Sequence, residues 1–115
     1  METMKLRVAF FKTESGSEPV RDWLKKLDQS EKKAISEDIK TVQFGWPLGM
    51  PVVRKMEPGL WEVRIQLEGR IARILFTVEE EKMVLLHGFI KKTQKTPPQE
   101  LKLAKQRMST LRRRK

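Results

Sequence analysis

The stretch Leu60-Trp61-Glu62-Val63-Arg64-Ile65-Gln66-Leu67-Glu68-Gly69-Arg70-Ile71-Ala72-Arg73-Ile74-Leu75-Phe76-Thr77-Val78 alternates apolar and polar side chains on either side of a Glu-Gly turn. A period of two sends successive side chains to opposite faces of an extended chain, which is the pattern of a half-buried β-strand. Trp61, Val63, Ile65 and Leu67 then share one face, and Glu62, Arg64 and Gln66 the other. In the following strand Ala72, Ile74, Phe76 and Val78 lie on the apolar side and Arg73 stands opposite. Pro58-Gly59 marks a turn before this pair. After it, Met83 to Ile90 is apolar on both sides, as a central strand should be. The segment from Gly49 to Ile90 therefore predicts an antiparallel meander.

Outside the meander the period changes. Leu6 to Phe11 reads as a short strand, and Val20, Trp23, Leu24 and Leu27 recur at helical spacing behind the start signals Ser17 and Pro19. Asp28 with Glu31 three residues on has the form of a capping box, and Ile35, Ile39 and Val42 continue a second helical stripe until Gly45-Trp46-Pro47. At the other end Thr96-Pro97-Pro98-Gln99 offers a hydroxyl at N-cap, proline at N1 and glutamine at N3, and Leu101, Ala104, Met108 and Leu111 form the inner stripe of a terminal helix. The expected order is β-α-α-β-β-β-β-α. The fold class is α+β: a small antiparallel sheet, two N-terminal helices on one face, a C-terminal helix, and a basic concave face opposite. Residues 1–115 should form one domain, with 112–115 a basic frayed tail.

Composition narrows the chemistry. The net charge is +10 on 115 residues, but residues 91–115 hold ten of the basic side chains against the single acidic Glu100, leaving 15 basic and 14 acidic in the rest. A near-neutral body with a basic end suits nucleic acid, an anionic surface or an acidic partner. No cysteine is present, which removes disulfides, thiol nucleophiles and Cys-ligated metal. A lone His87 without paired carboxylates suggests no metal site, glycine spacing gives no phosphate-binding loop, and no cofactor is implied. With no apolar run of membrane-spanning length and no export signal, the expectation is a cytoplasmic protein that does not engage a membrane.

RNA carries its own nucleophile, the 2′-hydroxyl, so an enzyme that cleaves it has to position the backbone, move a proton in and out, and neutralise charge on phosphorus. Arg64 and Arg73 fall on the polar face of neighbouring strands, and paired strands are ~4.8 Å apart. Lys91 and Lys92 at the end of the last strand complete a cationic cup, with Glu62 or His87 as proton carriers. Lys95, Arg54, Lys55 and the terminal Arg112, Arg113 and Arg114 are further candidate RNA contacts. Trp61, Phe89 and Trp46 are the candidates for base stacking, although Trp61 falls on the apolar face and, like Trp23, reads as core. Plainer readings exist: Arg64 and Arg73 in cross-strand ion pairs with Glu62 or Glu68 on a solvated face, His87 as a hydrogen-bonded, partly buried histidine, and Lys91, Lys92 and Lys95 as a solvated strand end.

Leu60-Trp61-Glu62-Val63-Arg64, then Arg73-Ile74-Leu75-Phe76, then His87-Gly88-Phe89-Ile90-Lys91-Lys92-Thr93 with Lys95-Thr96-Pro97 resemble the phage-derived HigB-type branch of the RelE superfamily of toxins. That resemblance implies a RelE-like fold and a toxin of a type II toxin–antitoxin system. Such a toxin is an endoribonuclease that cleaves messenger RNA, often on the translating ribosome, and is held inactive by a co-encoded antitoxin, commonly a helix-turn-helix protein of HigA type. By position it implies that Arg64 grips the scissile backbone, that Arg73 stabilises the phosphate, and that Lys91 and Lys92 are the basic pair ending the last strand. Two departures stand out: Glu62 occupies the place of a lysine in several relatives, and the chain has no tyrosine to match the one in RelE. A non-catalytic nucleic-acid-binding module and a phage structural protein are the other readings of the same basic surface.

Overall fold

The computed structural model describes residues 3–114. Alternation along β3 (Leu60–Leu67) and β4 (Arg70–Glu79) is converted into a two-faced ribbon by their register, which sets Trp61 against Phe76, Val63 against Ile74 and Ile65 against Ala72. On the reverse face the same register sets Arg64 directly against Arg73. β2 (Val53–Glu57) and β5 (Lys82–Lys91) flank this ribbon, and β1 (Arg7–Phe10) pairs with β5, so the strand order is β1-β5-β4-β3-β2. The α+β class and the order of elements are as expected. The sheet, however, is mixed rather than antiparallel, because β1 runs parallel to β5 with Val8 opposite Met83.

Two helices close one face: α1 (Pro19–Lys25) and α2 (Gln29–Gly45). Val20 from α1 and Ile35, Ile39 and Val42 from α2 bury against Val63, Ile65, Ile74, Phe76, Met83 and Leu85. Asp28 caps α2 through the full capping box with Glu31. The contact of α1 with the sheet is possible because Gly88 has no side chain: a Cβ there would lie 2.5 Å from Trp23 Cζ3. Trp46 at the end of α2 meets Trp61 edge-on, with ring centroids 4.9 Å apart, and both pack toward Phe76.

The opposite face is covered, not open. Helix α3 (Pro98–Arg113) lays Ala104, Met108, Leu101 and Leu111 on Leu60, Leu75, Val84, Leu86 and Phe89. Its N-cap is Pro97, with Pro98 at N1, so the expected Thr96 cap is one residue off. The Thr96 hydroxyl donates instead to Glu62. A buried carboxylate is the more demanding acceptor, because leaving it unpaired costs more than leaving a helix N–H to water. Arg112 and Arg113 form the last turn of α3, and Arg114 is its C-cap and donates to the Lys12 carbonyl at 2.7 Å. Lys115, the end of the expected tail, lies outside the described residues. Among the described residues no helix is long and apolar enough to cross a membrane.

Gly88→Ala forces Trp23 out of its seat and is expected to destabilise the protein by about 1–3 kcal/mol in urea unfolding, with Trp23→Leu in the same chain recovering part of the loss. The capping carboxylate gives a pH signature. The Glu31 backbone N–H and the Ser30 hydroxyl, which donate to it, hold the Asp28 pKa below its ordinary value. A lowered pKa means that the contribution is present above the ordinary aspartate range and is lost as pH falls through the folded value. Asp28→Asn keeps a capping oxygen that does not titrate. The stability gap between wild type and Asp28→Asn should therefore close on acidification, as thermal melts across that range would record.

Candidate functional site

Glu62 is fully buried at the centre of the polar side of β3, and three groups converge on it. Arg64 Nε donates to Oε1 at 2.8 Å, the Thr96 hydroxyl donates to Oε2, and Arg73 Nε stands 3.9 Å from Oε1. The segment between β5 and α3 lies above them as a roof. Arg64 Nη2 donates to the Gln94 carbonyl at 2.6 Å and Arg73 Nη2 donates to the Thr93 carbonyl. Arg73 is thereby sealed, with 0% exposure, while Arg64 keeps 20% of its side chain open to water.

The sealing leaves Arg73 short of partners. Its Nε and Nη1 are buried and make no hydrogen bond to any described residue. Desolvation first, and the neighbouring Arg64 charge second, pull its pKa below the ordinary arginine value, while Glu62 acts in the opposite direction. Each buried donor left unmade costs about 1–3 kcal/mol, so the Arg73 guanidinium is held in place by Glu62 and the roof rather than at rest there. The Phe89 ring, with Arg73 Cζ 5.8 Å from its centroid, lines the same chamber.

A second cluster lies two residues back along β5. His87 Nε2 is 2.7 Å from Glu100 Oε1, and Lys91 Nζ is 3.5 Å from Glu100 Oε2. His87, Phe89 and Lys91 alternate onto one side of the strand, the His87 and Phe89 rings stack with centroids 5.6 Å apart, and Glu100 reaches them from the first turn of α3.

The structure thus brings Arg64, Arg73 and Glu62 together, and sets His87 and Lys91 beside Phe89, which borders them. Lys92 and Lys95 are exposed on or next to the roof. Arg54 is in register with Glu62 and shares with Arg64 a groove at the β2 edge. On that groove Asp38 faces inward, its pKa raised by burial and by Glu37. Lys55, in register with Trp61, is exposed away from this cluster. Arg112, Arg113 and Arg114 stand at the far end of α3, roughly 18 Å along the helix from Glu100 at ~1.5 Å per residue. There Arg112 abuts the turn at Gly59 and the Arg114 guanidinium lies 5.2 Å from the Phe11 ring centroid.

Two expectations change, the solvation of the ion pairs and the stacking role of Trp46 and Phe89, while Trp61 lies on the core side as its alternation indicates. The ion pairs of Arg64 and Arg73 with Glu62 exist but are buried, not solvated. Trp61 and Trp46 pack on the α1–α2 side of the sheet, and Phe89 is 6% exposed, so none of the three offers a free ring to a base on the Arg64 side. Glu100 is a site residue that the sequence does not announce, where it is simply the acidic residue one place past Gln99 at the start of the terminal helix.

Removing Glu62 should strand Arg73 without a counter-charge. Glu62→Ala is expected to cost about 3–5 kcal/mol in equilibrium unfolding, and adding Arg73→Met to the same chain should restore much of it, since an apolar replacement of a buried pair is often neutral or better.

One family model matches, "Phage derived protein Gp49-like (DUF891)", over residues 22–109. The matched span contains every residue of both clusters and stops short of Arg112. No curated protein matches the chain. With about three quarters of its length inside the match, the chain belongs to the Gp49-like phage-derived family, a family of RelE/HigB-like toxins.

Proposed function

We propose that this chain is the toxin of a type II toxin–antitoxin pair and that it cleaves messenger RNA on the ribosome as an endoribonuclease. The observation that carries the reading is the direct opposition of Arg64 and Arg73 across β3 and β4, two guanidiniums whose remaining hydrogen-bond partners are backbone carbonyls of one short roof. Two like charges at that spacing repel unless oxygen acceptors lie between or above them. Thr93 and Gln94 supply those acceptors here, as the oxygens of a phosphodiester would in a complex. Family membership supports the same reading.

In the proposed reaction the 2′-hydroxyl loses its proton to a base and attacks the adjacent phosphorus. The bond to the 5′ oxygen breaks, that oxygen takes a proton, and the products are a 2′,3′-cyclic phosphate and a free 5′-hydroxyl. The nucleophile is internal to the substrate, so the protein supplies geometry, charge and proton transfer. Arg64, partly open, binds the scissile phosphate. Lys92 and Lys95 hold the flanking backbone, Lys91 stands where a proton can be given to the leaving oxygen, and His87 is the base. Glu62 and Arg73 act beneath them, Glu62 by fixing Arg64 and Arg73 by holding the roof. When the roof lifts, Arg73 exchanges a neutral carbonyl for an anionic oxygen, and charge-assisted bonds of that kind are roughly twice as strong. A cognate helix-turn-helix antitoxin of HigA type would keep the toxin inactive.

The sealing of Arg73 favours one other reading, a non-catalytic nucleic-acid-binding module that uses only the exposed Lys92, Lys95 and Arg54. The two differ in what Arg64 does. Folded wild-type protein added to translating ribosomes should cut the transcript, and Arg64→Ala should lower the cutting rate by about 100-fold or more with RNA affinity within about fivefold, as expected when a charge acts on the transition state. Intact transcripts with wild-type protein, or an Arg64→Ala effect confined to affinity and its salt slope, would leave the binding module.

A further inference from the structure

We infer that Glu100 is a positioning residue that sets the tautomer of His87 and the place of Lys91, and so prepares a base and an acid for RNA cleavage; this rests on the function proposed above. Glu100 is the one acidic side chain among the last 25 residues, set in a run of ten basic ones. It does not face solvent as a helix-dipole partner would. Its carboxylate turns to the sheet and is divided between two groups on β5, His87 Nε2 at 2.7 Å and Lys91 Nζ at 3.5 Å. The two lie four residues apart on one side of the strand, so a single carboxylate spans them only from above, where the first turn of α3 places it.

The division has chemical consequences. A carboxylate accepts hydrogen bonds and does not donate them, so the imidazole proton of neutral His87 sits on Nε2. The lone pair is then on Nδ1, which makes no hydrogen bond to any described residue. Imidazole with a free ring nitrogen, its other nitrogen tied to a carboxylate, is the arrangement in which a general base is held in one tautomer and its protonated form is stabilised as it forms. On the other oxygen the Lys91 ammonium is held near the same edge, placed to give a proton to the departing 5′ oxygen. In the forward step Nδ1 takes the 2′-hydroxyl proton, Lys91 gives one, and exchange with water returns both groups to their starting forms. His87 and Glu100 keep 15% and 17% of their side chains exposed, enough for contact with water and a substrate edge.

The chain has a single histidine, so nitrogen NMR of the imidazole reads His87 without assignment. At a pH near 9, where an ordinary imidazole is neutral, the wild type should show Nε2 protonated and Nδ1 bare. Glu100→Gln should lose that bias. In the cleavage assay on translating ribosomes, Glu100→Gln should lower kcat by about 10- to 100-fold with KM within about twofold, and Glu100→Asp should recover part of it. His87→Gln should be at least as slow as Glu100→Gln. The inference is overturned if the wild-type proton resides on Nδ1, if Glu100→Gln leaves the imidazole spectrum unchanged, or if that variant cuts at the wild-type rate. Wild-type protein that shows the Nε2–H tautomer and cuts no RNA would overturn the proposed function and the catalytic part of this inference, while leaving the tautomer assignment in place.

Discussion

A carboxylate with no access to water organises this molecule. Glu62 sits at the middle of β3 on the side away from the two N-terminal helices, and it is satisfied only if β3, β4 and the segment after β5 all arrive in one arrangement. Arg64 comes from its own strand two residues on, Arg73 from the paired strand, and Thr96 from the chain just before α3. Buried ion pairs are seldom retained for stability alone, since desolvation offsets most of the attraction. What Glu62 achieves is specificity of placement: it orients two guanidiniums that would otherwise repel, and it ties down the start of the last helix.

The position of α3 follows from that tie. By giving its hydroxyl to Glu62, Thr96 leaves the N-cap to Pro97, and the first helical turn begins one residue later. Glu100 then reaches His87 and Lys91, and four positions further Ala104 enters the apolar face, followed by Met108. One polar contact therefore sets both the packing of the helix and the second cluster of ionisable groups. Between the two clusters, Phe89 touches both, stacked on His87 and beneath Arg73.

The basic charge at the C-terminal end has two separate destinations. Lys91, Lys92 and Lys95 remain around the clusters. Arg107 and Arg114 instead lay their guanidiniums over Phe11, and Arg107 also donates to the Leu86 carbonyl at 2.8 Å. Burial pulls the Arg107 pKa below its ordinary value, which marks it as a packing arginine more than a free charge. Charge counted along the sequence gives a single basic block; the helix, rising ~1.5 Å per residue, carries Arg107 and Arg112 to Arg114 away from the clusters.

From the sequence alone the element order, the bounds of α2 and the inward faces of β3, β4, α2 and α3 were legible, because each rests on local rules: a period of two or 3.6, a capping box, a Gly in a turn. The pairing of Arg64 with Arg73 was also within reach, since a two-residue hairpin turn at Glu68-Gly69 fixes the register. Three things belonged to tertiary structure. The parallel docking of β1 on β5 joins segments some 75 residues apart with no turn to announce it. The turn at Glu80-Glu81 uses two non-glycine residues at positive φ, against local preference, because the strands on either side are held by burial. The last is the burial of Glu62 and Arg73 and the partnership of Glu100 with His87. These depend on which way a connecting segment folds over a sheet, and that is decided by the few hydrogen-bond acceptors available to charges already out of water, a sum over distant groups that no local pattern contains.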